Sequence, residues 1–115
     1  MKIKGLKGRD VITDLFKHGK VIKAAPLLIR FQKDSTLPNL YIGVSVPKSK
    51  LKKAVDRNRV KRQLRAILQK NNAAVWDAFK QTGHQGMLLY LDNKIPERYV
   101  LESHLMLLLK LLKEN

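Results

Sequence analysis

Between Lys48 and Arg65 the chain carries nine lysines or arginines against one acid, Asp56. At 100° per residue, Val60, Leu64 and Ile67 fall on one side of a helix, with Leu68 flanking them. Asn58, Arg62, Arg65 and Gln69 cluster on the opposite side, and Arg57 and Arg59 project to either side of the apolar stripe. A helix of this kind constrains the fold strongly. Its apolar stripe must be buried against other elements while its cationic face stays outside. A charged surface helix usually interleaves glutamate with lysine for i, i+4 pairing, and this one does not. The cations therefore need a polyanion from elsewhere.

The whole chain agrees with that demand. It has 24 Lys and Arg against 9 Asp and Glu, a net charge of +15 on 115 residues. Such a charge repels itself and is best explained by association with nucleic acid. The hydrophobic fraction, 44%, is too high for a disordered basic tail, so the cations decorate one folded domain spanning 1–115. The chain holds no cysteine, which excludes disulfides and cysteine-ligated zinc and suits a reducing compartment. No apolar run follows the charged start Met1–Gly5, so no signal peptide is read there. The greasiest stretch, Leu105 to Leu112, is interrupted by Lys110 and falls short of the roughly 20 residues a bilayer span needs. The expected location is the cytoplasm, without a membrane partner.

Periodicity supplies the remaining elements. Residues 1–8 are basic and glycine-containing and read as a flexible arm. Val11, Ile12, Leu15 and Phe16 share the stripe of a helix over Arg9–His18, with Gly19 as its C-cap. Leu27 to Phe31 reads as a strand after Pro26, with an extra short strand near Val21. Turn chemistry over Asp34–Asn39 leads into a strand from Leu40 to Val46, ended by Pro47. Leu40, Ile42, Val44 and Val46 face one way; Tyr41, Gly43 and Ser45 face the other. That second face is small and polar around an aromatic, as though something approaches it closely. The basic helix starts between Lys52 and Arg57, with Asp56 as a candidate N-cap, and Asn71-Asn72 breaks it before one or two further turns. Trp76 and Phe79 read as core or its edge. Met87 to Leu91 is a strand, and Pro96 introduces a last helix to about Lys113 with the stripe Leu101, Leu105, Leu108 and Leu112. The expected order is α-β-β-(β)-α-β-α.

No constellation for protein-borne catalysis is visible. The nine carboxylates are isolated along the sequence, His18, His84 and His104 lack ligand spacing, and no phosphate-binding loop occurs. Neither catalytic residues nor metal ligands are assigned. A helix N-terminus flanked by arginine forks suits phosphate, Asn58 can address base edges or 2′-hydroxyls, and Tyr41 could stack an unpaired base.

Ser45-Val46-Pro47-Lys48, Lys50, Lys53-Ala54-Val55, Arg57-Asn58-Arg59-Val60-Lys61-Arg62 and Leu64-Arg65 closely resemble the signature of the bacterial ribonuclease P protein subunit. Asp14–Gly19 is similar to the family's first helix, Tyr41–Val46 to the strand before the basic segment, and Met87–Leu91 to its last strand. The resemblance implies a small α/β sandwich with a left-handed strand-helix-strand crossover, an exception to the usual hand. It implies a part in removing the 5′ leader of precursor tRNA, the chemistry and the required Mg²⁺ belonging to a catalytic RNA. No protein partner is implied. By resemblance, Lys48, Lys50, Lys53, Arg57, Asn58, Arg59, Lys61, Arg62 and Arg65 bind the catalytic RNA. Ile12, Phe16, Arg30, Tyr41, Gly43 and Ser45 would line a cleft for the single-stranded leader. Ile12 stands where an aromatic is common and Arg30 where a tyrosine is common, shifting leader contacts from stacking toward charge. Lys52 replaces a frequent glycine and Ala66 a frequent glutamate, and both changes raise the positive charge.

Three rivals remain. A structural RNA-binding protein of ribosomal type would share the fold and have no processing role. A DNA-binding regulator would need a helix-turn-helix pair, whereas strands precede the basic helix. A protein nuclease would need the clustered carboxylates or histidines that the sequence lacks.

Overall fold

The computed structural model describes residues 3–6 and 8–114. The elements run α1 (Arg9–His18), β1 (Lys20–Ala24), β2 (Leu27–Lys33), β3 (Leu40–Ser45), α2 (Ala54–Lys70), α3 (Asn72–Ala78), β4 (His84–Tyr90) and α4 (Arg98–Glu114). The short strand expected near Val21 exists as β1, and β4 begins three residues earlier than the apolar run Met87–Leu91 suggested. Asn71 does separate α2 from α3. Its side chain donates to the Ile67 carbonyl (2.8 Å) and to Glu102 of α4 (2.9 Å), so the break is also a joint to the last helix.

The sheet order is β1-β2-β4-β3. β1 with β2 and β2 with β4 are antiparallel, while β3 and β4 are parallel neighbours joined through α2 and α3. Alternation along the strands divides the sheet into two unlike faces. Leu27, Ile29 and Phe31 of β2 and Leu88 and Tyr90 of β4 are buried, together with Leu40 and Ile42 of β3. Against this face lie the stripes of α2 (Val60, Leu64, Ile67, Leu68) and α4 (Leu101, Leu105, Leu108, Leu112), all buried. Each such side chain contributes roughly 1.5–3 kcal/mol of burial, which holds the cationic helix in place.

The opposite face carries Arg30, Gln32, Gln85, Met87, Tyr41, Gly43 and Ser45, all half-buried. Among the described helices α1 crosses it, touching β2 and β4 and burying Leu15 completely, and Leu6 reaches it beside Gly43. Gly19 does close α1, with extended backbone (φ −69°). Glycine is required there by crowding: a Cβ would stand 2.5 Å from the Leu15 carbonyl oxygen.

Two local expectations are corrected. The described part of the basic arm is docked. Lys4 pairs in parallel with Tyr41 on the free edge of β3, its N–H donating to Leu40 O (3.0 Å) and its carbonyl accepting from Ile42 N (2.8 Å). Ile3 is buried and its carbonyl accepts from Gln69 of α2 at 2.6 Å, so an apolar residue overrides its charged neighbours. Met1, Lys2 and Lys7, also assigned to that arm, lie outside the described residues. Asp56 is not an N-cap. α2 starts at Ala54 because a turn on the Pro47 carbonyl (Lys50 N, 3.0 Å; Leu51 N, 3.3 Å) buries Leu51 and fixes the helix entry. Asp56 falls in the first turn, where its charge favours the positive end of the helix.

Candidate nucleic-acid interface

Lys48, Lys50, Lys53, Asn58, Arg59, Arg62 and Arg65 are exposed, and Lys61 is half-exposed. Among the described residues, none of these cations is ion-paired to a carboxylate, whereas Lys70 pairs with Glu102 (3.1 Å) and His18 lies 3.8 Å from Asp14. The N-terminus of α2 has no side-chain cap, so its first backbone N–H groups remain available to an anion. Val55 beside it is 76% exposed, an apolar side chain among cations. The combination suits a sugar-phosphate backbone with an apolar contact at its edge.

Arg57 differs from its neighbours. Its Nη1 donates to the carbonyls of Leu51 (2.9 Å) and Lys52 (2.8 Å), and the residue is half-buried. Grouping it with the RNA-contacting cations on charge alone misses that its guanidinium ties the 47–53 loop to α2. It thereby positions Lys48, Lys50 and the helix N-terminus.

The six residues expected to form a cleft all reach the open sheet face or the helix over it, in two groups. Phe16, 41% exposed, lies under the Arg30 guanidinium, whose Cζ is 5.0 Å from the ring centroid. Arg30 Nη1 also reaches the Phe16 carbonyl at 3.5 Å, while its buried Nε has no partner among the described residues. Ile12 and Gly43 line a second space, a cavity of about 460 Å³. Arg65 of α2 lines the same cavity, which joins the open sheet face to the cationic helix. Tyr41 and Ser45 flank Gly43 on β3, opposite Gln85 and Leu89 of β4.

The close approach read at Gly43 is made by the chain itself. A Cβ there would meet Met87 Sδ at 2.5 Å and Leu6 Cβ at 3.4 Å. Gly43 makes room for that packing, and the neighbours of a bound strand would be Met87 and Leu6. Sequence reasoning missed both. Reading β4 from His84 would have found Met87 by alternation with Gln85 and Leu89; Leu6 carries no such signal. Gln32, which donates to Asp14 (3.4 Å) and Gln85 (3.2 Å), adds a polar floor beside Phe16.

The architecture is a mixed α+β single domain of four strands and four helices, and solved structures show the same fold. The Staphylococcus aureus RNase P protein matches with a TM-score of 0.79 at 17% identity, over 96% of this chain and 95% of that one. The Thermotoga maritima RNase P protein matches with a TM-score of 0.77 at 20% identity, over 97% of each chain. A second Staphylococcus aureus structure gives 0.75 at 19% identity, over 98% of this chain and 92% of that one. A search of curated proteins finds no match. The family model for ribonuclease P matches residues 1–93, most of the chain including β3, the loop and α2. The chain belongs to the ribonuclease P protein family.

Proposed function

We propose that this chain is the protein subunit of a ribonuclease P holoenzyme, binding the catalytic RNA and the 5′ leader of precursor tRNA. The observation that carries the proposal is the division of the molecule into two surfaces. One is the cationic α2 with its loop, without carboxylate partners; the other is the open sheet face under α1. The first suits the phosphates of a folded RNA, and neutralising them releases counterions. The second offers Phe16 stacked on Arg30, a polar floor, and a gap that reaches Arg65. A single strand could run there by backbone charge and packing, with tolerance of sequence.

The chemistry in this reading belongs to the RNA, as does the Mg²⁺. Among the described residues, no three of His, Cys, Asp and Glu come together as a donor set for a metal ion. The protein contributes by joining leader to ribozyme, which lowers the Mg²⁺ concentration needed. Cytoplasmic residence belongs to the same reading; among the described residues no helix is long and apolar enough to cross a membrane.

The test is reconstitution with a bacterial ribonuclease P RNA at Mg²⁺ concentrations where the RNA alone is nearly inactive. Protein-dependent cleavage at the mature 5′ end, with none by the protein alone, is expected. Absence of stimulation, together with co-purification on ribosomal subunits, would replace the proposal with a structural ribosomal-type role.

A further inference from the structure

Arg30 is a cation turned inward on a protein whose other arginines mostly face solvent. It sits in β2 with a strand on either side, opposite Val21 of β1 and Met87 of β4. Its backbone is therefore fixed from both edges, and alternation sends its side chain to the same face as Gln32, toward α1. Gln32 meets Asp14 of α1 at 3.4 Å. Arg30 meets Phe16 twice: the guanidinium Cζ stands 5.0 Å from the ring centroid, and Nη1 reaches the Phe16 carbonyl at 3.5 Å.

That carbonyl belongs to the end of a helix. α1 stops at His18, and the N–H of its cap, Gly19, donates to Leu15 O (2.8 Å). The Phe16 carbonyl is the next in line, among the last four that no intrahelical N–H can reach. It also lies at the negative end of the helix dipole, where a cation is favoured. The two anchors act on one residue. They restrict the rotamers of a ring that is exposed to solvent and would otherwise turn freely. The rest of the guanidinium points the same way. Its Nε is out of solvent without a partner, and among the described residues Arg30 makes no ion pair with a carboxylate. A buried donor left unpaired is costly. An arginine kept for phosphate gains by staying in solvent, as Arg59, Arg62 and Arg65 do on α2.

We propose that Arg30 is a positioning residue: it fixes the Phe16 ring in the pose that receives an unpaired base of the leader, and holds no phosphate itself. This role rests on the leader-cleft reading of the open sheet face and says which residue there acts through another. The exposed part of the ring is the platform, since every base has a π-face and stacking tolerates sequence. Restricting the ring before the strand arrives removes an ordering cost that binding would otherwise carry. Lysine at position 30 would keep the charge but not the planar guanidinium that covers the ring. Methionine would fill the space without the cation.

The test has two parts. In the free protein, the Nε–Hε NMR signal of Arg30 should be displaced upfield by the ring current of Phe16 and should return toward its usual position in Phe16→Leu. In the holoenzyme reconstituted with a bacterial ribonuclease P RNA, Arg30→Met should weaken precursor tRNA binding roughly two- to tenfold and leave mature tRNA unchanged. The salt slope of precursor binding should stay as it was, whereas a lost phosphate contact would lower it by about 0.7. Methionine also removes the unpartnered Nε, so Tm should not fall and the loss cannot be blamed on the fold. Arg30→Lys should lose nearly as much as Arg30→Met. Phe16→Ala/Arg30→Met should bind within about twofold of Phe16→Ala alone, because no ring is left to position. A lower salt slope in Arg30→Met, or full binding by Arg30→Lys, would make Arg30 a phosphate contact and overturn the proposal. Additive losses in the double variant, or an Arg30 signal indifferent to Phe16→Leu, would overturn it equally. Leader-dependent binding untouched by Arg30→Met would overturn the proposal alone. Equal binding of precursor and mature tRNA by the unaltered protein would overturn the leader reading and the proposal with it.

Discussion

Arg57 and Arg59 are two residues apart in one basic run, yet the structure gives them different work, and replacing each with alanine separates the two. Arg57→Ala removes two charge-assisted hydrogen bonds, to Leu51 O and Lys52 O. Such bonds are worth about 1.5–3 kcal/mol each when well buried; discounted for the half-exposed site, the pair is worth about 2 kcal/mol. For 115 residues the unfolding entropy is about 0.24 kcal/mol/K, so Tm should fall by roughly 8 °C. Arg59 is exposed and tethered to nothing the structure shows. Arg59→Ala should leave Tm within roughly 2 °C and lower the salt slope of RNA binding by about 1, the loss of one phosphate contact. Arg57→Lys completes the design. It keeps the charge but not the planar guanidinium whose Nη1 meets both carbonyls, so most of the Tm loss should remain while the salt slope is retained. The assay is thermal unfolding of each variant, paired with affinity for a bacterial ribonuclease P RNA across a salt series. Equal Tm losses for Arg57→Ala and Arg59→Ala, or none for Arg57→Ala, would refute the assignment of Arg57 to the loop.

Phe16→Ala should weaken binding of precursor tRNA by about 1–3 kcal/mol, roughly 5- to 150-fold, and leave mature tRNA unaffected. An equal loss for both RNAs in holoenzyme binding assays would remove Phe16 from the leader cleft. His84 has its pKa lowered chiefly by burial, with Lys33 and Lys80 adding to the effect and the Thr82 carbonyl opposing it. The unfolded chain therefore takes up this proton first as pH falls. Stability should be flat above the usual histidine value of about 6.5 and decline below it, levelling only beneath the depressed folded value. His84→Phe, which keeps the ring, should flatten that decline in Tm measured against pH; an unchanged decline would assign it to other groups. Salt should act with opposite signs on two states. The free protein, at net +15, should gain Tm as screening relieves self-repulsion, whereas the RNA complex should lose Tm as counterion release weakens. The same sign in both, measured by thermal scans of protein with and without RNA, would contradict the electrostatic reading.

Periodicity carried the sequence reading a long way. The α2 stripe, the α4 stripe and the alternation of β3 were legible because each rests on spacing, and spacing is local. What stayed illegible depends on which distant residues meet. Ile3 sits among charges, and only the free edge of β3 and the side chain of Gln69 reveal why it is buried. Arg57 is indistinguishable from Arg59 by composition, since its partners are backbone carbonyls that carry no residue code. The face of Tyr41, Gly43 and Ser45 read as a surface that something approaches, but sequence could not say that at Gly43 the chain's own Met87 and Leu6 occupy the space.

The sheet gives these scattered charges their order. With 24 cations and 9 carboxylates, a chain this small cannot neutralise itself, since pairing every carboxylate would still leave a net charge of +15. Spread evenly, the excess would only destabilise the fold. Instead the apolar stripe of α2 holds its cations on the outside of one layer, while α1 leaves most of the other sheet face uncovered by its single fully buried residue, Leu15. Arg65 is the link, for it belongs to the cationic helix and lines the cavity that also contains Ile12 and Gly43. A strand lying on the open face can therefore meet the field of α2 without leaving the sheet. Anything that binds the folded state alone stabilises it by mass action, about 2.7 kcal/mol at a hundredfold excess over Kd. The same RNA that the cations recruit thus offsets the repulsion they impose, and a charge that would be a liability in the free chain becomes tolerable in the complex.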